Sequence, residues 1–185
     1  MIQLPLASIV SAQMGIQKPD AIGGDMVYLQ SRDIDELGRL VKTGEETMIS
    51  SDVEERGIIQ PHDILLVAKG ARNTAVYYEP DYPKAAASTV FFILRLQRSD
   101  VLPAYLAYYL NTPAAQAQLK LRVSSMTTVP VLNKKDFLDL SVPVPDLATQ
   151  HQLVNLHETY MQVRDLSLAI LKKQEALVQY AFPRL

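Results

Sequence analysis

The sequence predicts an α+β chain: a mixed β-sheet domain with short helices, followed by one long C-terminal α-helix. Three observations carry that expectation. Apolar runs of strand length recur between turn signals up to Leu96. Two helical patterns that open on Pro follow from Pro103. An extended, Pro-spaced segment from Ser141 to Asp146 then feeds a stretch with neither Pro nor Gly, from Leu147 to Phe182.

Residues 1–30 read as strands and turns. Leu6 to Val10 is a short apolar run, Gly23-Gly24 a turn, and Met26 to Gln30 a strand. Residues 31–57 are acidic and polar, which suits irregular connections with room for a short helix. Pro61 to Gly70 combines a turn, a buried strand from Asp63 to Ala68 and a Gly stop. Ala75 to Tyr78 is a second strand, ended by Glu79-Pro80-Asp81. Ala87 to Leu96 is a third, with a β-branched and aromatic centre. The helix from Pro103 to Leu110 is apolar on most faces, which predicts burial. Thr112 caps a second helix that runs to about Leu121. A polar loop, Ser124 to Thr128, precedes Val129-Pro-Val, and Asn133 caps a short turn from Lys134 to Leu138.

Asp146 caps the long helix and Gln150 falls in its first turns. From Leu147 to Tyr180 it would be roughly 50 Å long. Its apolar positions Leu153, Leu156, Tyr160, Val163, Ile170 and Leu177 fall near heptad spacing, with Ser167 and Gln174 breaking the seam. Leu166, Leu168, Leu171 and Val178 widen the apolar face. Part of such a helix exceeds what a chain of 185 residues can cover, so it asks for another chain or a second copy. The alternative is an ordinary helix packed on its own domain.

Composition narrows the function. The 48% hydrophobic fraction suits a globular core, and no apolar stretch is long enough to span a bilayer. The absence of Cys removes thiolate and disulfide chemistry and fits a reducing cytoplasm. The net charge of −2 means that a nucleic-acid role must rest on a local basic face.

Searches for catalytic motifs are empty. His151 and His157 do not have the i,i+4 spacing of a helical metal pair, and no carboxylate frames them. No lysine follows a carboxylate by two residues, as metal-dependent nucleases of the Asp/Glu-x-Lys type require. Glu79-Pro80-Asp81-Tyr82 lacks the second Pro of the Asn/Asp-Pro-Pro-Tyr/Phe active site of a DNA methyltransferase, and there is neither a phosphate loop nor a nucleophile elbow. The expectation is a non-catalytic protein with no cofactor and no metal.

Several segments in order resemble one family. His62 to Gly70 resembles the "Gly-Asp-Ile-Leu…Gly" strand of the DNA-recognition domains in type I restriction–modification specificity subunits. Ala86 to Arg95 is similar to the core strand that follows, and Leu102 to Asn111 to the family's Tyr-Leu-rich helix. Val131 to Gln150 resembles the "Leu-x-Ile-Pro-x-Pro-Pro-x-x-x-Gln" segment that flows into its long helix. The likeness covers roughly residues 1–182. His62 stands where the family commonly has Gly, Asp146 where a second Pro often follows, and Ser124–Thr128 lacks a Gly often found there.

The resemblance implies a DNA target-recognition domain over residues 1–145 and a helical spacer and dimerisation arm over 146–185. A usual specificity subunit has two of each, so this chain resembles a half subunit that reads double-stranded DNA as a homodimer paired through Leu153, Leu156, Tyr160, Val163, Ile170 and Leu177. Methyltransferase subunits, and restriction subunits, would dock on it. DNA contacts would lie on loops at strand ends: Lys69, Arg72 and Asn73 first, then Ser31 and Arg32, then Ser124, Ser125, Thr127 and Thr128, with Lys134 (and Lys135) on phosphates. Two rivals stay open. One is an adaptor or decoy of the same fold that binds methyltransferase subunits without reading DNA, favoured by the acidic 31–57 stretch. The other is an enzyme built on dispersed carboxylates such as Asp63 with Glu79 or Asp81.

Overall fold

Two strands with apolar centres set the middle of the fold. In the computed structural model, which describes residues 2–17, 25–41, 48–49, 53–70, 72–124 and 130–182 (Met48, Ile49 and Ser124 through their backbone alone), these are β5 (Ile64–Val67) and β8 (Phe91–Leu96). A strand with one wet face alternates apolar and polar residues, whereas one covered on both faces is apolar throughout. Ile64, Leu66, Phe92 and Leu94 point into a core shared with the helices. Leu65, Val67, Phe91 and Ile93 point the other way, into a core shared with a second sheet. The architecture is three layers: sheet, central sheet, helices.

The central sheet is antiparallel, in the order β2 (Val10–Met14), β8, β5 and β6 (Ala75–Tyr77). The second sheet places β3 (Met26–Leu29) between β4 (Met48–Ile49), antiparallel to it, and β7 (Ala85–Ala87), parallel to it. The fold is therefore α+β with mixed sheets, as the sequence predicts. The single strand expected over Ala87 to Leu96 is corrected to two strands in different sheets. A turn closed by Phe91 N–H donating to the Ser88 carbonyl (3.0 Å) carries the chain from β7 to β8.

The apolar run Leu6 to Val10 leads from a turn into a strand. Residues Leu6–Ser8 form a 3-10 turn between β1 (Ile2–Pro5) and β2. β1 pairs antiparallel with the Pro-spaced segment, which is β11 (Ser141–Val144). Pro143 is tolerated there because an edge strand does not need every N–H. β9 (Val123–Ser124) and β10 (Val131–Leu132) form a small antiparallel pair.

On the helical layer lie α1 (Pro103–Leu110), α2 (Pro113–Lys120) and the short α3 (Lys134–Leu138). α1 buries Tyr105, Leu106, Ala107 and Leu110, and Phe137 of α3 packs on Phe92 with ring centres 4.8 Å apart. Thr112 Oγ1 accepts from Ala115 N–H as the cap of α2.

The last element, α4 (Leu147–Ala181), has 35 residues and so a length of about 52 Å. Asp146 caps it by accepting from Thr149 N–H (2.9 Å) and Thr149 Oγ1 (3.0 Å). Those bonds hold the Asp146 carboxyl below the usual carboxylate range. One stripe of α4 faces the domain. Gln150 is fully buried and Val154 is buried. His157 stacks on Tyr108 with ring centres 3.9 Å apart. The last described tether is Arg39 Nη1 to Asp165 Oδ2, 2.6 Å. From Leu166 to Phe182 every residue is exposed, so about 24 Å of helix stands clear of the domain.

Candidate nucleic-acid interface

The chain leaves β5 into a loop that is fixed from several sides. Leu132 N–H donates to the Ala68 carbonyl (2.8 Å) and Gly70 N–H to the Pro130 carbonyl (3.0 Å). Asn73 Nδ2 donates to the Val67 carbonyl (2.8 Å), and Gln116 Nε2 donates to the Asn73 carbonyl (2.9 Å). Gly70 turns the loop at φ +132°, a conformation L side chains rarely adopt. The β5 exit is thus braced at Val67, Ala68, Gly70 and Asn73, and it presents two cations, Lys69, half-buried, and Arg72, exposed.

A second fixed loop faces it. Ser31–Asp33 is a 3-10 turn in which buried Asp33 accepts from Gln30 N–H (2.8 Å). The Asp35 carboxylate accepts from the N–H groups of Leu37 and Arg39 (2.9 Å each) and from Arg39 Nε (2.8 Å). Partial burial would raise its pKa, but the bonds from Arg39 and Leu37 prevail and hold the carboxyl below its usual range. Gly38, at φ +78°, lies against the Ala75 carbonyl where a Cβ would collide with backbone. Glu36, at the tip, reaches across, and its Oε1 is 2.6 Å from Arg72 Nη1.

Two shallow depressions flank Arg72. One is lined by Ser31, Glu36, Lys69, Gly70, Arg72 and Thr74. The other is lined by Gly70, Arg72, Asn73, Gln116, Lys120 and Pro130. The structure thus brings Ser31, Lys69 and Arg72 together on one surface. Arg32 is exposed beside them, 4.0 Å from Asp33. Asn73 is corrected from base reader to brace: it is buried and its amide is held by the Val67 carbonyl. Lys134 and Lys135 are exposed at the start of α3 and line neither depression. Ser124 is described through its backbone, paired with Val131, and Ser125, Thr127 and Thr128 lie outside the described residues.

Sequence reasoning missed Lys120 and Glu36. Lys120 closes α2, where a cation complements the helix end. Only the fold brings it beside Arg72.

The surface offers point charges for phosphate oxygens and two exposed guanidinium groups, Arg32 and Arg72, of the kind that binds guanine in a bidentate way. The two carboxylates that line the first depression are engaged, Asp35 by Leu37 and Arg39 and Glu36 by Arg72. Asp63, a member of the dispersed-carboxylate alternative, is 1% exposed and engaged by Arg95 through two bonds of 2.8 and 2.7 Å. Among the described residues no group of three or more His, Asp or Glu is placed to hold a metal, and no helix is long and apolar enough to cross a membrane.

On α4 the six predicted seam residues are exposed, from 44% at Leu153 to 67% at Leu156 and Leu177. Leu153, Leu156 and Tyr160 immediately precede Val154, His157 and Met161 of the domain-facing stripe. One residue is about 100° of helix, so the seam is a separate face.

Solved structures share this fold. The HsdS subunit from Thermoanaerobacter tengcongensis matches with TM-score 0.67 and 22% identity over 99% of this chain and 49% of that one. A chain from a structural study of complex assembly and conformational transition of the type I R-M system matches with TM-score 0.71 and 19% identity over 97% of this chain and 43% of its own length. The type I restriction–modification S subunit of M. genitalium gives TM-score 0.62 and 13% identity over 97% and 44%. The chain thus spans less than half the length of these structures. A comparison with curated proteins gives no match. The family model for the type I restriction modification DNA specificity domain matches residues 11–175, and the chain, bearing that fold from end to end of its described residues, belongs to that family.

Proposed function

We propose that this chain is a half-size specificity subunit of a type I restriction–modification system, which reads double-stranded DNA as a homodimer and directs methyltransferase and restriction subunits to a two-part site in the cytoplasm. Residues 1–145 form the recognition domain and 146–185 the arm. The observation that carries the reading is the pairing, in one member of this family, of a braced cationic loop with a projecting helix whose apolar seam is exposed. Lys69 and Lys120 hold phosphates, Arg72 reaches a base edge, and Ser31 and Arg32 add contacts at the rim. Lys134 meets phosphate further along the duplex, with Ser124, Ser125, Thr127 and Thr128 contributing hydroxyls from the adjoining segment. The second helix needed to cover Leu153 to Leu177 comes from a second copy, antiparallel, and a two-fold assembly of this kind reads two half-sites at a fixed separation.

The experiment is selection of bound sequences from a random duplex pool at moderate salt, with the chain alone and with a methyltransferase subunit. An interrupted two-part sequence is expected. The double variant Val163→Asp/Ile170→Asp, at exposed positions, is expected to keep the fold and run as a monomer. A specific observation favours a second reading, the non-reading adaptor or decoy: Glu36 neutralises Arg72 within the bare chain. That reading stands if methyltransferase subunits bind and no sequence is enriched.

A further inference from the structure

We propose that Glu36 and Arg72 act as a couple that reads one C·G base pair, Glu36 accepting from the cytosine amino group while Arg72 donates to guanine. The inference rests on the DNA-reading function and deepens it by naming a specificity residue and its base.

The argument starts from what the other carboxylates of the loop do. Asp33 is buried and holds Gln30 N–H. Asp35 is tied up by Leu37 and Arg39. Both build the turn. Among the described residues Glu36 caps no turn: its partner there is Arg72, on a different loop. The pair is open to solvent, with side-chain exposures of 77% for Glu36 and 61% for Arg72. An exposed ion pair of this kind adds little to stability, so folding does not account for a carboxylate at this place.

On a face that meets phosphates a carboxylate is repelled, unless it finds a donor. The donors that duplex DNA presents in the major groove are the amino groups of cytosine and adenine. A C·G pair shows two adjacent acceptors on guanine and then the cytosine amino group. A guanidinium touching a carboxylate shows the complementary order, donors and then an acceptor. Arg72 and Glu36, 2.6 Å apart, have that order. Both are presented on braced backbone: Gly38 is seated against Ala75, and the β5 exit is pinned by Pro130 and Gln116. The pairing in the free protein also keeps Arg72 extended and oriented before DNA arrives.

The test compares the full-length wild type, Glu36→Gln and Glu36→Asp in the random-duplex selection, together with affinity for a fixed non-cognate duplex. Glu36→Gln removes the charge and gives the side chain the donor–acceptor pattern that suits adenine. The expected result is a loss of C·G preference at one position, by about tenfold or more, with the other positions retained. Glu36→Asp keeps the charge but shortens the reach, and is expected to lose the same preference. If Glu36 merely screens Arg72, Glu36→Gln strengthens binding to every duplex alike, Glu36→Asp changes little, and the base preference stays at every position; that outcome overturns the couple and leaves DNA reading intact. A wild type that enriches nothing, alone or with a methyltransferase subunit, overturns both.

Discussion

Replacing Gln150 with Ala should cost about 3 kcal/mol of stability, because one buried amide satisfies three backbone groups. Gln150 is 0% exposed. Its Oε1 accepts from Leu102 N–H at 2.8 Å, and its Nε2 donates to the carbonyls of Asp100 and Pro145 at 2.8 Å each. Each such bond is worth about 1 kcal/mol net, and an N–H or carbonyl left dry costs about 1–3 kcal/mol. The freed side-chain entropy, at most about 2 kcal/mol, offsets part of that loss. For a chain of this size the balance lowers the melting temperature by roughly 6–12 °C. Thermal and urea unfolding of the wild type and Gln150→Ala measure it. A second variant, Gln150→Glu, keeps the acceptor but sets a carboxylate against two carbonyls, which raises the folded-state pKa of the new acid above its unfolded value. Its stability is then greatest below the unfolded pKa and falls as pH rises. A Gln150→Ala protein within about 0.5 kcal/mol of wild type, or a Gln150→Glu protein insensitive to pH, would refute the anchoring role.

Three further outcomes are expected. Asp63→Ala removes the buried partner of Arg95 and an acceptor for Gln60 N–H (2.8 Å), and should destabilise by about 2–4 kcal/mol in urea unfolding, the partial exposure of Arg95 keeping it below the range for a fully buried pair. His62 sits at φ +71° and bonds Tyr77 Oη through Nδ1 (2.7 Å); His62→Ala and His62→Gly both lose that bond, so the glycine variant should exceed the alanine variant by about 1 kcal/mol, the cost of a left-handed L-residue. Desolvation lowers the pKa of His157 below 6.5, so the unfolded chain binds the extra proton first; the stability linked to neutral His157 is present above 6.5 and lost as pH falls through the folded value, and His157→Phe, which can keep a stack on Tyr108, should flatten that part of the melting-temperature profile.

The strands and helices with local signals were legible. Ile64 to Ala68 is apolar throughout because both its faces are covered, and α1 and α2 announce themselves by Pro103, Thr112 and Pro113. The pairing of Ile2–Pro5 with Ser141–Val144 was not legible, since two short segments at opposite ends carry no mutual signal. Nor was the break at Ser88, because the apolar run continues on both sides of a turn that changes sheets. At the candidate site Arg72 and Asn73 are neighbours of similar polarity. Only the carbonyl of Val67 above one of them decides that Asn73 is a brace. The heptad seam of α4 was visible as a pattern of Leu, Tyr, Val and Ile. The domain-facing stripe, Gln150, Val154, His157 and Met161, is too mixed in polarity to stand out.

The brace and the anchor are one system. α1 is held at its start by Gln150, through Leu102 N–H. At its end Asn111 accepts from Ala75 N–H (2.8 Å) and donates to the Ala75 carbonyl (2.7 Å), fixing the strand beside β5. Gln116 donates to the Leu110 and Asn73 carbonyls, and Asn73 reaches back to Val67. Four amide side chains thus connect the root of α4 to the β5 exit that carries Lys69 and Arg72. Amides suit the task because each offers donors and an acceptor without a charge to desolvate. On the proposed function, in which the loop reads sequence and the helix pairs with a second copy, stiffness is needed between the two. Apolar packing alone supplies cohesion, but it tolerates sliding. Directional bonds at both ends of a helix about 12 Å long do not.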